Sequence, residues 1–208
     1  MIYKASHHPV IYPFFKFYAI WKIKRNFHSV FINGNYINRG LPILLISNHS
    51  SWWDGFWAMY LNLKLFNRKF YFMMLEEQLK KHMFFNRTGG YSIKKGTKSI
   101  VETINYTAEL LSDKNNLVLL FPQGKIESIY THTHRFEKGI EHIIKKVKGN
   151  IQILFLVNLI DYLSNPKPGL YMYFIEYHGS DFTGEILEKE YNNFHAFCIA
   201  RNLQITQS

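Results

Sequence analysis

The residues best suited to chemistry are His49 and Asp54, five positions apart and directly after the apolar run Leu41 to Ser47 (LPILLIS). Residues five apart in one regular helix point to different sides, so the two could not pair cleanly within a helix. They can meet if His49 sits in the turn and Asp54 in the first turns of the helix that follows. A carboxylate bonded to one ring nitrogen fixes the tautomer, leaves the other nitrogen free to accept, and stabilises the imidazolium once a proton is taken. That arrangement deprotonates a hydroxyl. A lone His and Asp pair also fits a histidine satisfied in a turn beside an aspartate bonding local backbone. The position at a strand end and the flanking residues favour the chemical reading here.

Other chemistry-bearing groups are fewer. His132 and His134 form an H-x-H pair, at most half of a tetrahedral metal site, with no cysteine or carboxylate cluster to complete it; no metal is expected. Cys198 lies between Phe197 and Ile199 in a helical pattern and reads as a packed core residue rather than a nucleophile. It has no disulfide partner, which fits a reducing compartment. There is no P-loop and no dinucleotide fingerprint.

The elements that must position the pair follow from periodicity. LPILLIS reads as a buried strand, and Ser50 and Ser51 as N-cap residues for a helix from Trp52 to Leu65. Lys69 to Leu75, Tyr91 to Lys94, Leu117 to Phe121, Ile151 to Leu159 and Leu170 to Tyr177 read as further strands. Glu76 opens a charged helix. Thr97 to Lys114 is amphipathic, with Ile100, Ile104, Ala108 and Leu111 on one face. Lys138 to Lys148 reads as a helix capped by Gly149, and Glu185 to Leu203 as a final helix loosened near Asn192 and Asn193. Strands alternating with helices predict an α/β fold: one domain with a mixed, mostly parallel sheet flanked by helices and an N-terminal amphipathic arm. The division is an arm over residues 1–30 and a domain over residues 31–208. Ligands in such folds sit at the carboxyl ends of strands, where His49 falls.

The formal net charge is +10 over 208 residues, and no Asp or Glu precedes Asp54. Lys4, Lys16, Lys22, Lys24, Arg25 and Arg39 lie in that stretch. Such an arm suits an anionic partner, either nucleic acid or an anionic lipid leaflet, or is a solvated basic face. No segment reaches the roughly 18 uncharged apolar residues that span a bilayer. Phe14, Phe15, Phe17, Tyr18 and Trp21 could lie at headgroup depth with Lys16, Lys22 and Lys24 reaching phosphates; an ordinary helix packed on the core is the competing reading. No nucleic-acid-binding motif is present, and the aromatics cluster with aliphatic runs rather than with the lysines, so nucleic acid is not expected.

Asn48-His49 followed by Asp54 resembles the NHxxxxD motif of the glycerolipid acyltransferases, a family that includes the 1-acylglycerol-3-phosphate (lysophosphatidic acid) acyltransferases. The resemblance runs from about Phe31 to Tyr177. The family's second block, GxxFIxR, is matched by Gly89-Gly90-Tyr91-Ser92-Ile93-Lys94-Lys95, with Ser92 for Phe and Lys95 for Arg. Its third, FPEGTRS, is matched by Phe121-Pro122-Gln123-Gly124-Lys125-Ile126-Glu127. Gln123 stands at the glutamate position, Lys125 at the threonine, and Ile126 where the phosphate-associated arginine would be. Phe136-Glu137-Lys138-Gly139 echoes a later block.

The resemblance implies acyl transfer from an acyl thioester, acyl-CoA or acyl carrier protein, to a hydroxyl of a glycerolipid-type acceptor. His49 would be the general base and Asp54 its orienting partner. Lys95, Phe121, Pro122, Gln123, Gly124 and Lys125 would bind substrate, without a resident cofactor and without a covalent acyl-enzyme. A lysine lacks the bidentate fork of arginine, so an acceptor with an uncharged headgroup, such as another lipid or a polyol, loses nothing by these replacements. A peripheral position on the cytoplasmic face of a membrane is expected. A lipid-binding homologue without turnover is the alternative.

Overall fold

Runs of β-branched, leucine and aromatic residues four to ten long dominate the sequence between charged segments, and they form the sheet. In the computed structural model, which describes residues 2–205, seven strands lie in the order β1-β7-β6-β2-β5-β3-β4. They are β1 (Ser29–Asn33), β2 (Ile43–Ser47), β3 (Lys69–Leu75), β4 (Gly90–Ile93), β5 (Asn116–Leu120), β6 (Gln152–Asp161) and β7 (Gly169–Glu176). Every neighbouring pair is parallel except β6 and β7. The last three positions of the expected domain, 206–208, lie outside the described residues.

The strands are apolar on both faces because both are covered. Leu45, Phe70, Phe72, Leu119 and Leu156 pack under α1 (Ile11–Asn26) and α2 (Asp54–Leu61). Leu44, Ile46, Tyr71, Val118 and Phe155 face the other way, toward α4 (Ser99–Leu110), α5 (Ile140–Lys146) and α6 (Gly184–Ile205). A short α3 (Glu76–Lys81) and a 3-10 segment, Met83–Thr88, lead into β4. Cys198 is fully buried on the second face, and burial pushes its thiol up to about 12.

Several elements differ from the sequence expectation for local reasons. β1 carries no strong run of its own and exists through its pairing with β7, Ser29 to Gly169 onward. The helix after His49 starts at Asp54 and widens into a π-turn over Asn62–Phe66. There the buried Asn62 side chain bonds both the N–H and the C=O of Arg68 and closes the turn. α5 stops at Lys146 with Val147 extended, so Gly149, at φ +106°, serves the loop rather than the helix cap. α6 is unbroken through Asn192, whose amide clasps the backbone N–H and C=O of His134.

The N-terminal segment is knitted to the sheet edge. Tyr3 bonds Ser92 through both N–H and C=O, and Ser6 and His8 donate to Asn86 and Arg87. α1 buries Phe15, Ala19 and Ile23, one residue per turn, and leaves Val10, Phe14, Phe17 and Trp21 exposed on another side. Its rings are therefore divided between the core and the solvent rather than all facing one way.

Candidate active site

β2 ends at Ser47 and the chain turns at Asn48. The buried Asn48 side chain accepts from Asn158 N–H (2.9 Å) and donates to Asn158 C=O (3.1 Å). It continues the β2–β6 pairing one step past the last register pair, Ser47 with Leu156. His49 follows with its direction fixed by that lock. Its Nδ1 lies 2.9 Å from Asp54 Oδ2, and the same oxygen accepts the N–H groups of Ser50 (2.6 Å) and Ser51 (2.8 Å). The expected serine caps are thus partly reversed: Ser51 Oγ takes the N–H of Trp53, while the aspartate gathers the amides of both serines.

Asp54 is completely buried, with Oδ1 unpartnered among the described residues. Burial raises its carboxyl above the ordinary value, opposed by hydrogen bonds from His49, Ser51 and Ser50. The His49 ring stacks on Phe121, centroids 4.1 Å apart and planes 13° from parallel, which holds the imidazole on two sides. With Nδ1 committed to Asp54, Nε2 is left as the acceptor, on a side chain 22% exposed.

His49 opens on a cavity of about 680 Å³, within the range of small-ligand sites. Its origin lies in the sheet. β3 pairs with β5 only as far as Phe72 with Leu119, then continues with β4 alone to Leu75 with Ile93. The sheet is unpaired along that line, and the cavity is lined from both sides of it. Phe15, Phe56 and Phe85 come from one side, and Ile104, Ile140 and Ile143 from the other.

The residues expected to bind substrate gather at the mouth. Lys95, Phe121, Pro122, Gly124 and Lys125 line the cavity with His49. Gly124 closes the turn after β5, its N–H on Phe121 C=O and its φ at +64°, so a residue free to be left-handed is required there. A Cβ at this position would lie 2.7 Å from Lys95 Nζ, so the two candidate blocks touch. Lys95 Nζ is 2.6 Å from Glu137 Oε1, and Lys125 Nζ is 3.5 Å from Glu127 Oε1.

Gln123 does not line the cavity. It is buried beneath the His49 turn, with Oε1 accepting His49 N–H at 3.0 Å. Sequence reasoning missed its partners, Glu127 and His134. The two histidines of H-x-H part company: His132 is exposed, while His134 is buried with Nδ1 3.1 Å from Glu127 Oε2. Burial alone would raise the Glu127 carboxyl, but hydrogen bonds from Gln123 and His134 hold it below its ordinary value. His195 packs on His134 with centroids 4.4 Å apart, and burial lowers its pKa to about 4, so it is neutral there. The signal available in the sequence was the four-residue spacing of Gln123 and Glu127 in a loop that must reach back to β2.

The family model described as Acyltransferase matches residues 29–156, more than half of the chain. The chain belongs to the acyltransferase family. The match spans β1 through the first half of β6 and includes the NHxxxxD block, the lysine block and the turn after β5. No curated protein matches the sequence. Within this acyltransferase the helices and strand outside the match are α1, β7 and α6, which supply the exposed Phe14, Phe17 and Trp21, the antiparallel strand and the helix over His134.

Proposed function

We propose that this acyltransferase moves a fatty acyl group from an acyl thioester, carried on coenzyme A or acyl carrier protein, to a hydroxyl of a glycerolipid-type acceptor such as 1-acylglycerol 3-phosphate. The observation that carries the reading is the His49–Asp54 pair at the mouth of an apolar cavity of about 680 Å³. His49 Nε2 takes the acceptor's hydroxyl proton as the oxygen attacks the thioester carbonyl carbon. Asp54 stabilises the imidazolium that forms. The tetrahedral intermediate collapses with loss of the C–S bond, and the proton passes from His49 to the leaving thiolate. The acyl chain occupies the apolar cavity, with Lys95 and Lys125 at its mouth.

One observation favours a second acceptor class. Each of these lysines already faces a carboxylate, Glu137 or Glu127, and Ile126 at the arginine position offers no cation. A mouth with its charges paired suits an uncharged or polyol hydroxyl as well as a phosphomonoester.

Attachment is proposed at the cytoplasmic face of an anionic membrane. Val10 before α1, Phe14, Phe17 and Trp21 within it, Phe84 of the 3-10 segment against which α1 packs, and Trp52 at the cavity wall present exposed apolar surface, and Lys24 and Arg25 lie in the last turn of α1. No helix among the described residues is long and apolar enough to cross a membrane.

The deciding experiment is thiol release from palmitoyl-coenzyme A, and from an acyl carrier protein thioester, with lysophosphatidic acid, glycerol 3-phosphate, a monoacylglycerol and a glycolipid as acceptors. Release that needs an acceptor and falls roughly 10²–10⁴-fold in His49→Ala is expected. Acceptor-independent release, or a folded His49→Ala with the native rate, would overturn the proposal.

A further inference from the structure

The turn that carries His49 is also held from outside the His49–Asp54 pair. Its N–H donates to Gln123 Oε1 at 3.0 Å, and its C=O accepts from Glu127 N–H at 2.8 Å. Both partners belong to the loop after β5. The Gln123 amide, 3% exposed, faces two ways, because its Nε2 donates to Glu127 Oε2 at 3.0 Å. His134 Nδ1 lies 2.9 Å from that nitrogen and 3.1 Å from that oxygen. With a proton on Nδ1 it donates to the carboxylate; without one it takes the second hydrogen of the amide. In either tautomer the Gln123 side chain is an acceptor toward His49 and a donor toward Glu127.

An amide does both, whereas an ionised carboxylate only accepts. A carboxylate at 123 could accept from His49, but it would set a second negative charge at hydrogen-bonding distance from Glu127 in a buried site. Glutamine at 123 and glutamate at 127 are therefore one choice rather than two independent departures from the FPEGTRS pattern. The carboxylate of this block stands four residues further on, backed by His134, and the amide passes its orientation to the histidine backbone.

We infer, on the acyl-transfer reading above, that Gln123 and Glu127 are positioning residues: a buried amide–carboxylate pair, braced by His134, that sets where the His49 ring stands against the substrate. Neither group exchanges a proton with substrate. Their effect falls on kcat, because a displaced base still leaves the cavity able to bind the acyl chain.

The test is an exchange of the two groups. Gln123→Glu lowers kcat about 10²-fold, the scale of a misplaced reacting group, with KM for both substrates little changed. In the double variant Gln123→Glu/Glu127→Gln, the carboxylate at 123 accepts both from His49 N–H and from the amide introduced at 127, and most of the lost kcat returns. Circular dichroism melts establish that each variant is folded. Should Gln123→Glu fail to fold, Glu127→Ala against Glu127→Gln asks the same question: the alanine, which removes the carboxylate and leaves Gln123 Nε2 only His134 Nδ1 as a partner, loses more kcat than the glutamine.

Native kcat in folded Gln123→Glu, or no recovery in the folded double variant, would overturn the inference. So would equal losses in the two variants at 127. His49→Ala is measured beside them. A loss there with none in the exchange series removes the positioning pair and keeps the transferase, whereas no loss at His49 removes both.

Discussion

The two ends of the candidate site are built on different physical terms. At the base end, Asp54 is inaccessible, one of its oxygens collects three N–H groups, and the histidine it holds is stacked on Phe121. At the lysine end, Lys95 and Lys125 have side chains 47% and 71% exposed, each in a solvent-accessible ion pair with a carboxylate. A buried network has few ways to be rearranged, because any unpaired member carries a desolvation cost. Exposed ion pairs are worth little and can be exchanged for a ligand. On the proposed reading, the fold fixes the geometry for proton transfer firmly and leaves headgroup recognition easily altered. The NHxxxxD block is intact; among the replacements, Lys95 and Ile126 fall on the cationic positions, while Gln123 and Glu127 enter the buried network together.

The strongest way to break this contrast is Asp54→Asn. The amide keeps the shape but not the charge, and turnover is expected to fall roughly 10²–10⁴-fold as the imidazolium loses its partner. Stability should move the other way. The Asp54 carboxyl is raised by burial, so the fold favours its protonated form. An acid shifted upward contributes stability that is full below its ordinary value of 3.8 and lost as pH rises through the folded value. At pH 7 the native protein carries the cost of a buried charge that the neutral amide removes, so the variant melts higher. That difference closes as pH falls toward 3.8. A folded variant with the native rate would detach Asp54 from the chemistry.

An intermediate effect is expected at the aromatic rim. Replacing Phe14 and Phe17 by serine should lower partitioning onto phosphatidylserine-containing vesicles about tenfold for each ring that enters the interface, measured by sedimentation. Unchanged partitioning would leave these rings without a membrane role. Because α1 also buries Phe15, Ala19 and Ile23, point changes on its outer side are a cleaner test than removal of the helix.

The smallest effect is expected at Lys95. Lys95→Ala should raise KM for an uncharged acceptor no more than about fivefold, the range of an exposed ion pair. A far larger rise confined to lysophosphatidic acid would show that Lys95 leaves Glu137 to grip phosphate, and would sharpen the acceptor assignment toward the phosphomonoester.

Much of this was legible in the sequence. LPILLIS, KFYFMML and LVLLF announced central strands through length and apolarity alone, and the strand-end position of His49 followed. β1 was not legible, because SVFIN is a strand only by virtue of its neighbour β7. The pairing of His49 with Asp54 could be argued from spacing, since it needs only a turn and a helix start. The Gln123–Glu127–His134 cluster could not, since His134 reaches it through a loop held by Asn192 of α6, a contact across 58 positions of chain. Local periodicity carries no information about such a clasp.

Cys198 gives the molecule a built-in reporter. As the chain's sole thiol, sealed in the sheet-facing side of α6 and shifted to about 12, it is silent toward disulfide reagents while the protein stays folded. Chromogenic detection of the thiol that the proposed reaction would release therefore runs without background from the protein. In the absence of substrate, the slow appearance of label on Cys198 counts openings of the core, so one reagent reads turnover in one experiment and conformational opening in the other.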